Sequence, residues 1–411
     1  MKKTIIATAF VLFAGSTLKA QSVSSLHAWL KQDEKNRPVL HEQAFAKKAL
    51  SKKEAADAAS QLLADVHNQH RATLRSGWEN KLLVIDDDSL KFEYKIFGEK
   101  PADGRSLFIS MHGGGNTAPR VNDQQWQNQI KLYTPAEGIY VAPRAPTNTW
   151  NLWHEAHIDP LFDQLILAAV LTEGVNPNKV YLMGYSAGGD GVYQLAPRMA
   201  DKFAAAAMMA GHPNETSPVG LRNIGFALHM GALDNAYNRN EIARRWGVML
   251  DSLQQQDTDG YRHVVKLHEG RPHWMAREDS VAVPWMAAFR RNPVPNKIVW
   301  KQDDVHHQSF YWLAVPVGVA QTGGEIVATY KGNEVSIESS YTDTLLIRLN
   351  DAMMDLDKPV VVRFQGKEVF RGKVKRSLQT IHQTSNQRKD PGLIFTTELA
   401  IVGGNINRDS K

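Results

Sequence analysis

The sequence predicts an α/β domain, a mostly parallel sheet flanked by helices, followed by an all-β, sandwich-like domain. Two observations carry this reading. Between residues 76 and 292, short β-rich runs alternate with amphipathic segments, as parallel strands joined by crossover helices do. After Arg291 the helical spacing stops, and short alternating runs separated by glycine-bearing turns take over.

Residues 1–20 have the grammar of a secretory signal. Lys2 and Lys3 are followed by an apolar run from Ile5 to Ala14 and by small or neutral residues up to Ala20. The chain is therefore expected to be exported, to the periplasm or beyond the cell. The apolar run is short for a bilayer, and no later stretch reaches the roughly 20 apolar residues of a membrane helix. Residues 21–75 read as a helical lead-in, with Ser51 and Glu54 as a capping box and Leu62, Leu63 and Val66 at helical spacing.

Within 76–292, the runs 82–86 and 91–97 read as an antiparallel pair entering the sheet. Further strands are expected at 107–111, 139–142, 180–183, 204–209, 225–229 and 263–268. Phe162, Leu165, Ile166 and Ala169 repeat as on a helix covering one face of that sheet. Asn292, Pro293, Val294 and Pro295 make a hinge, because proline cannot continue a helix. Residues 296–411 then carry strand-like runs at 297–300, 310–314, 325–330, 334–338, 344–348, 360–364, 368–374 and 394–398.

Composition narrows the function. The 411 residues are 43% hydrophobic, enough for two apolar cores. With no cysteine, disulfides, a thiolate nucleophile, a cysteine metal site and lipid acylation at the cleavage site are all excluded. The formal charge of +5 falls to +2 once Lys2, Lys3 and Lys19 leave with the leader, so nucleic acid is not an expected partner.

The strongest local signal is Gly184-Tyr185-Ser186-Ala187-Gly188-Gly189, directly after the strand at 180–183 and before a helix-compatible stretch. That context makes it a nucleophile elbow, with the serine hydroxyl presented at a helix N-terminus. His112-Gly113-Gly114-Gly115 follows another strand. Its glycines let backbone N–H groups approach an oxyanion, so Gly114 and then Gly113 are the candidate donors, with Ala187 supplying the other. A serine hydroxyl also needs a base oriented by an acid. Asp234 follows the strand at 225–229, whereas Asp251, Asp257 and Asp259 lie in a helix or polar loop. His273 lies in the loop after the strand at 263–268, and is preferred over His268 at the strand end because the base must reach over the serine.

These motifs resemble esterases of the polyhydroxyalkanoate depolymerase and feruloyl or acetylxylan esterase type, within the α/β-hydrolase superfamily. The resemblance rests on Met111 to Gly114, on Gly184 to Gly189 with the stretch to Gly211, and on the order Ser186, Asp234, His273. It covers the middle domain only, and Gly114 stands where those esterases often carry cysteine. It implies hydrolysis of a small-molecule or polymeric ester through an acyl-enzyme, without cofactor. His112, Trp150, Trp153, Tyr185 and Trp274 are the candidate substrate contacts, the two tryptophans at 150 and 153 as an aromatic wall or as core beneath their loop. His154 with His157, and His306 with His307, lack convincing metal-ligand spacing, and no metal is expected. Two alternatives remain: a serine peptidase resembling prolyl oligopeptidases, and an inactive binding module. Residues 296–411 are a candidate polysaccharide contact.

Overall fold

The structure, a computed structural model, describes residues 23–406. The expected leader at residues 1–20 lies outside the described residues. The lead-in begins with a short helix, α1 (residues 23–30), and three 3-10 turns. Ser51 then caps α2 (Lys52–Glu79): its Oγ accepts from the Glu54 N–H at 3.3 Å, and the Glu54 carboxylate accepts from the Ser51 N–H at 2.8 Å. Two end-of-helix donors are thereby satisfied.

The central sheet has eight strands: β1 (Leu82–Ile85), β2 (Asp88–Phe97), β3 (Arg105–Met111), β4 (Gly138–Arg144), β5 (Val175–Tyr185), β6 (Ala205–Met209), β7 (Gly225–Gly231) and β8 (His263–His268). Their order is β1-β2-β4-β3-β5-β6-β7-β8. The pairs β1–β2 and β2–β4 are antiparallel, and every other pair is parallel. The parallel strands are joined by α3 (Pro119–Gln129), α4 (Ile158–Glu173), α5 (Ala187–Arg198) and α6 (Arg239–Gln256), with α7 (Ala282–Ala287) after β8. Every residue of β6 and β7 is buried. That is why those strands are continuously apolar or small rather than alternating. The parallel strands end together, so the loops after β3, β5, β7 and β8 meet at one edge, where ligands bind in open α/β sheets.

Past the prolines lie β9 (Lys297–Lys301), β10 (Ser309–Phe310), β11 (Leu313–Ala314), β12 (Glu325–Lys331), β13 (Glu334–Ser340), β14 (Leu345–Leu349), β15 (Val360–Phe364) and β16 (Lys367–Gly372). The helix α8 (Leu378–Arg388), β17 (Thr397–Val402) and β18 (Asn405–Ile406) complete the described chain. The strands form two five-stranded sheets. Three expectations are corrected here. The run 310–314 is not one strand, because Tyr311 turns left-handed (φ 52°) and folds β10 back on β11. The strand expected at 394–398 begins only at Thr397. The region is not all-β: α8 has a buried face made partly of Thr380, Thr384 and Ser385, so its amphipathicity does not register as apolar periodicity.

The lead-in is not an isolated arm. Leu26, Trp29, Leu62 and Leu63 pack with Leu378 and Ile381 of α8 in a second core. A continuous larger core joins the eight-stranded sheet to the β region, and buried ions bind the same seam. Arg198 is bidentate on Asp159 (2.6 and 3.0 Å), which also meets His307 at 2.7 Å, and Arg388 pairs with Asp201. No helix among the described residues is long and apolar enough to cross a membrane.

Candidate active site

Ser186 sits at φ 58°, ψ −122°, between β5 and α5. This is strained for a residue with a Cβ, and it persists because its surroundings over-determine it. The Ser186 N–H donates to Met209 O at 2.9 Å and its carbonyl accepts from Asp190 N at 3.0 Å. Close packing beneath the bend requires glycine: a Cβ on Gly188 would come 2.1 Å from Met111 O. The end of β3 and the serine turn therefore touch through backbone.

His273 Nε2 lies 3.0 Å from Ser186 Oγ, and His273 Nδ1 lies 2.6 Å from Asp234 Oδ2. The acid is 2% exposed, whereas the His273 side chain is 42% exposed. The acid is thus shielded and the base opens toward solvent. His268 is elsewhere: it is buried, 3.0 Å from His229 Nδ1 and 3.2 Å from Glu278 Oε2.

The glycine loop is held by a residue that spacing did not reveal. Asn122 on α3 is fully buried, and its Oδ1 accepts from Gly115 N at 2.9 Å. Gly114 adopts φ +113°, and a Cβ there would meet Asn122 Oδ1 at 2.2 Å. Among the described residues, the N–H groups of Gly113, Gly114 and Ala187 have no protein acceptor. A cleft of ≈ 580 Å³ opens over the two glycines and Ser186, with Val121, Gln125, His273 and Trp274 on its walls.

The candidate substrate contacts divide. Trp274 is half exposed and Tyr185 also faces the cleft. Tyr185 has a second task, since its hydroxyl donates to His273 O at 2.7 Å and accepts from Met275 N at 2.9 Å, pinning the loop that carries the base. Three of the candidates are not cleft contacts, and Trp153 takes the core alternative. Trp153 is fully buried, with its Nε1–H donating to His112 O at 2.8 Å. His112 is equally buried: Ala145 N donates to its Nε2 at 3.1 Å, leaving the proton on Nδ1, 2.6 Å from Gly113 O. Burial holds its pKa down to about 4, so it is a neutral strut for the glycine loop rather than a substrate contact. Trp150 is exposed against His154 and does not line the cleft.

Two charged neighbours went unread in the sequence. The Arg239 guanidinium is 3.8 Å from Asp234 Oδ1, the oxygen that His273 does not use. Asp190, one helical turn past Ser186, accepts from His212 N at 2.6 Å, and burial raises its pKa to about 6. Its spacing from Ser186 was the available signal. An unfolded Asp titrates near 3.9, so between about pH 4 and 6 the folded chain holds a proton that the unfolded chain has released. Stability from this group accordingly falls as pH rises through that window. Asp190→Asn keeps the acceptor for His212, and is expected to raise unfolding free energy by about 1–2 kcal/mol at pH 8 with no gain at pH 4. Urea midpoints at the two pH values measure this, and an equal gain at both would remove the ionisation as its cause. The metal-capable group among the described residues, Glu215, Asp303 and Asp304, is outside the cleft.

No protein-family model matches the chain, and no curated protein matches it. Similar solved structures include a thermostable esterase, at 18% identity and TM-score 0.39, covering 52% of this chain and 64% of that one. A ferulic acid esterase is 14% identical with TM-score 0.36, covering 50% of this chain and 94% of that one. A poly(3-hydroxybutyrate) depolymerase from Bordetella parapertussis is 16% identical with TM-score 0.36, covering 48% of this chain and 84% of that one.

Proposed function

We propose that this chain is an exported serine hydrolase of the α/β-hydrolase type that cleaves carboxylic esters. The observation that carries the proposal is the unbroken contact from Asp234 through His273 to the hydroxyl of a strained Ser186. Ser186 Oγ attacks the ester carbonyl carbon while its proton passes to His273 Nε2. The carbonyl electron pair moves onto oxygen, where the N–H groups of Ala187 and of Gly114 or Gly113 receive the charge. Collapse breaks the bond to the alcohol oxygen, which leaves with the proton from His273. Water, deprotonated by the same imidazole, then cleaves the acyl–Oγ bond and restores the serine. Asp234 orients the ring and stabilises the imidazolium. No step calls for a cofactor.

The cleft walls combine the amides of Gln125, Asn128 and Gln129 with Val121, Leu132 and Trp274. This mixture suits an acyl or alcohol group with both apolar and hydrogen-bonding parts, as in polysaccharide-linked or polyester substrates. Residues 296–411 are proposed to contact a polysaccharide, and the leader to direct the chain to the periplasm or outside the cell. Assay of acetyl, feruloyl and hydroxybutyryl esters beside peptide p-nitroanilides tests the reaction class. Ester turnover is expected to exceed anilide turnover at least 100-fold. Faster anilide cleavage would assign a peptidase, and labelling by a fluorophosphonate without turnover of either would reject the ester reading.

A further inference from the structure

A second cavity, of ≈ 280 Å³, lies at the opposite end of the sheet. Pro177 near the start of β5 lines it, whereas Ser186 follows the end of that strand. At about 3.3 Å per strand residue, the two sites are on the order of 20–30 Å apart. Leu74 of α2, Ile85 of β1 and Leu167 and Val170 of α4 form an apolar side. The other end is charged, and comes from Lys202, Arg291 and the turn after α8.

The charges there do not cancel. Lys202 pairs with Asp163 at 2.8 Å, Arg291 with Asp390 at 2.7 Å and Arg388 with Asp201. Among the described residues, Lys389 has no carboxylate within ion-pair distance, and its ammonium donates only to Asn386 O at 2.9 Å. One positive charge is therefore in surplus. Burial disfavours that charge and lowers the Lys389 pKa. The residue is also left-handed (φ 53°) at the helix end, a position that glycine usually fills. An uncompensated cation at one end of an apolar cavity costs free energy until an anion arrives.

We infer that this cavity binds a small amphipathic monocarboxylate, with the carboxylate at the Lys389 ammonium and the hydrocarbon along Leu74, Ile85, Leu167 and Val170. The volume holds about nine water-sized groups, which suits a chain near eight carbons. The inference does not depend on the ester reading, because none of these residues touches Ser186 or its cleft.

The test titrates the full chain carrying Ser186→Ala with octanoate, 1-octanol and octylammonium. Octanoate is expected to bind once per chain, and at ~100 times its Kd to raise Tm by several degrees. 1-Octanol and octylammonium bind at least tenfold more weakly. Lys389→Met weakens octanoate at least tenfold, Lys389→Arg restores it, and Val170→Trp, which fills the cavity, removes it. Circular dichroism of each variant checks folding, and the Lys389 pair decides the matter should Val170→Trp not fold. Absence of saturable binding, equal affinity for 1-octanol, or affinity unchanged in Lys389→Met would overturn the inference.

Discussion

Ser186→Ala is expected to hydrolyse p-nitrophenyl esters about 10⁵–10⁶-fold more slowly than the wild type and to take up no fluorophosphonate. The loss falls on kcat, because in the proposed reaction Oγ forms the covalent bond but contributes little to holding the ester in a cleft walled by Val121, Gln125 and Trp274. Some rate over water survives, since Gly113 and Gly114 still line the cleft and the N–H groups of Gly113, Gly114 and Ala187 remain without a protein acceptor among the described residues. Folding should be little affected. Alanine enters the same positive-φ bend with the same strain, and the backbone bonds of residue 186 to Met209 and Asp190 need no side chain. A variant that keeps more than a hundredth of the rate would mean that another residue attacks the ester.

What was legible in the sequence follows from how local each constraint is. Strand β8 spans His263–His268 and β15 spans Val360–Phe364, as read from their apolar runs, because strand length and burial pattern are written in consecutive residues. The glycine spacing around Ser186 was equally readable, since a backbone that must pass within contact of Met111 O admits no side chain at Gly188. Ser186, Asp234 and His273 were read from their order past strand ends, and the structure brings those three side chains together.

The unread parts depend on contacts between distant segments. Trp153 looked equally suited to a pocket wall or to core, and the choice was made by His112 O, 41 positions away, which accepts its indole N–H. Helix α8 escaped because Thr380, Thr384 and Ser385 occupy its buried face, where the Thr384 hydroxyl donates to Thr380 O at 2.8 Å instead of facing water. The union of the lead-in with α8 was unreadable for a related reason. It joins Leu26 and Leu62 to Leu378, more than 300 positions apart, and each alone is an ordinary apolar residue.

Asp234→Asn should lower kcat about 10⁴-fold with little change in KM. The argument is one of proton placement. In the wild type the Asp234 carboxylate accepts from His273 Nδ1–H at 2.6 Å, so Nε2, 3.0 Å from Ser186 Oγ, is free to take the serine proton. An asparagine NH₂ turned toward the ring accepts nothing, and favours the tautomer with its proton on Nε2. That ring then meets the serine hydroxyl as a donor and cannot act as its base. Turning the amide oxygen inward would restore the tautomer, but the NH₂ would then point at the Arg239 guanidinium, which faces the other Asp234 oxygen at 3.8 Å. Two donors opposed in a site where residue 234 is 2% exposed are costly, so the unproductive orientation should dominate. Fluorophosphonate labelling separates this variant from Ser186→Ala. It should slow by a factor similar to that in kcat yet still run to completion, since the hydroxyl remains. Labelling at the wild-type rate would show that Asp234 does not set the state of His273.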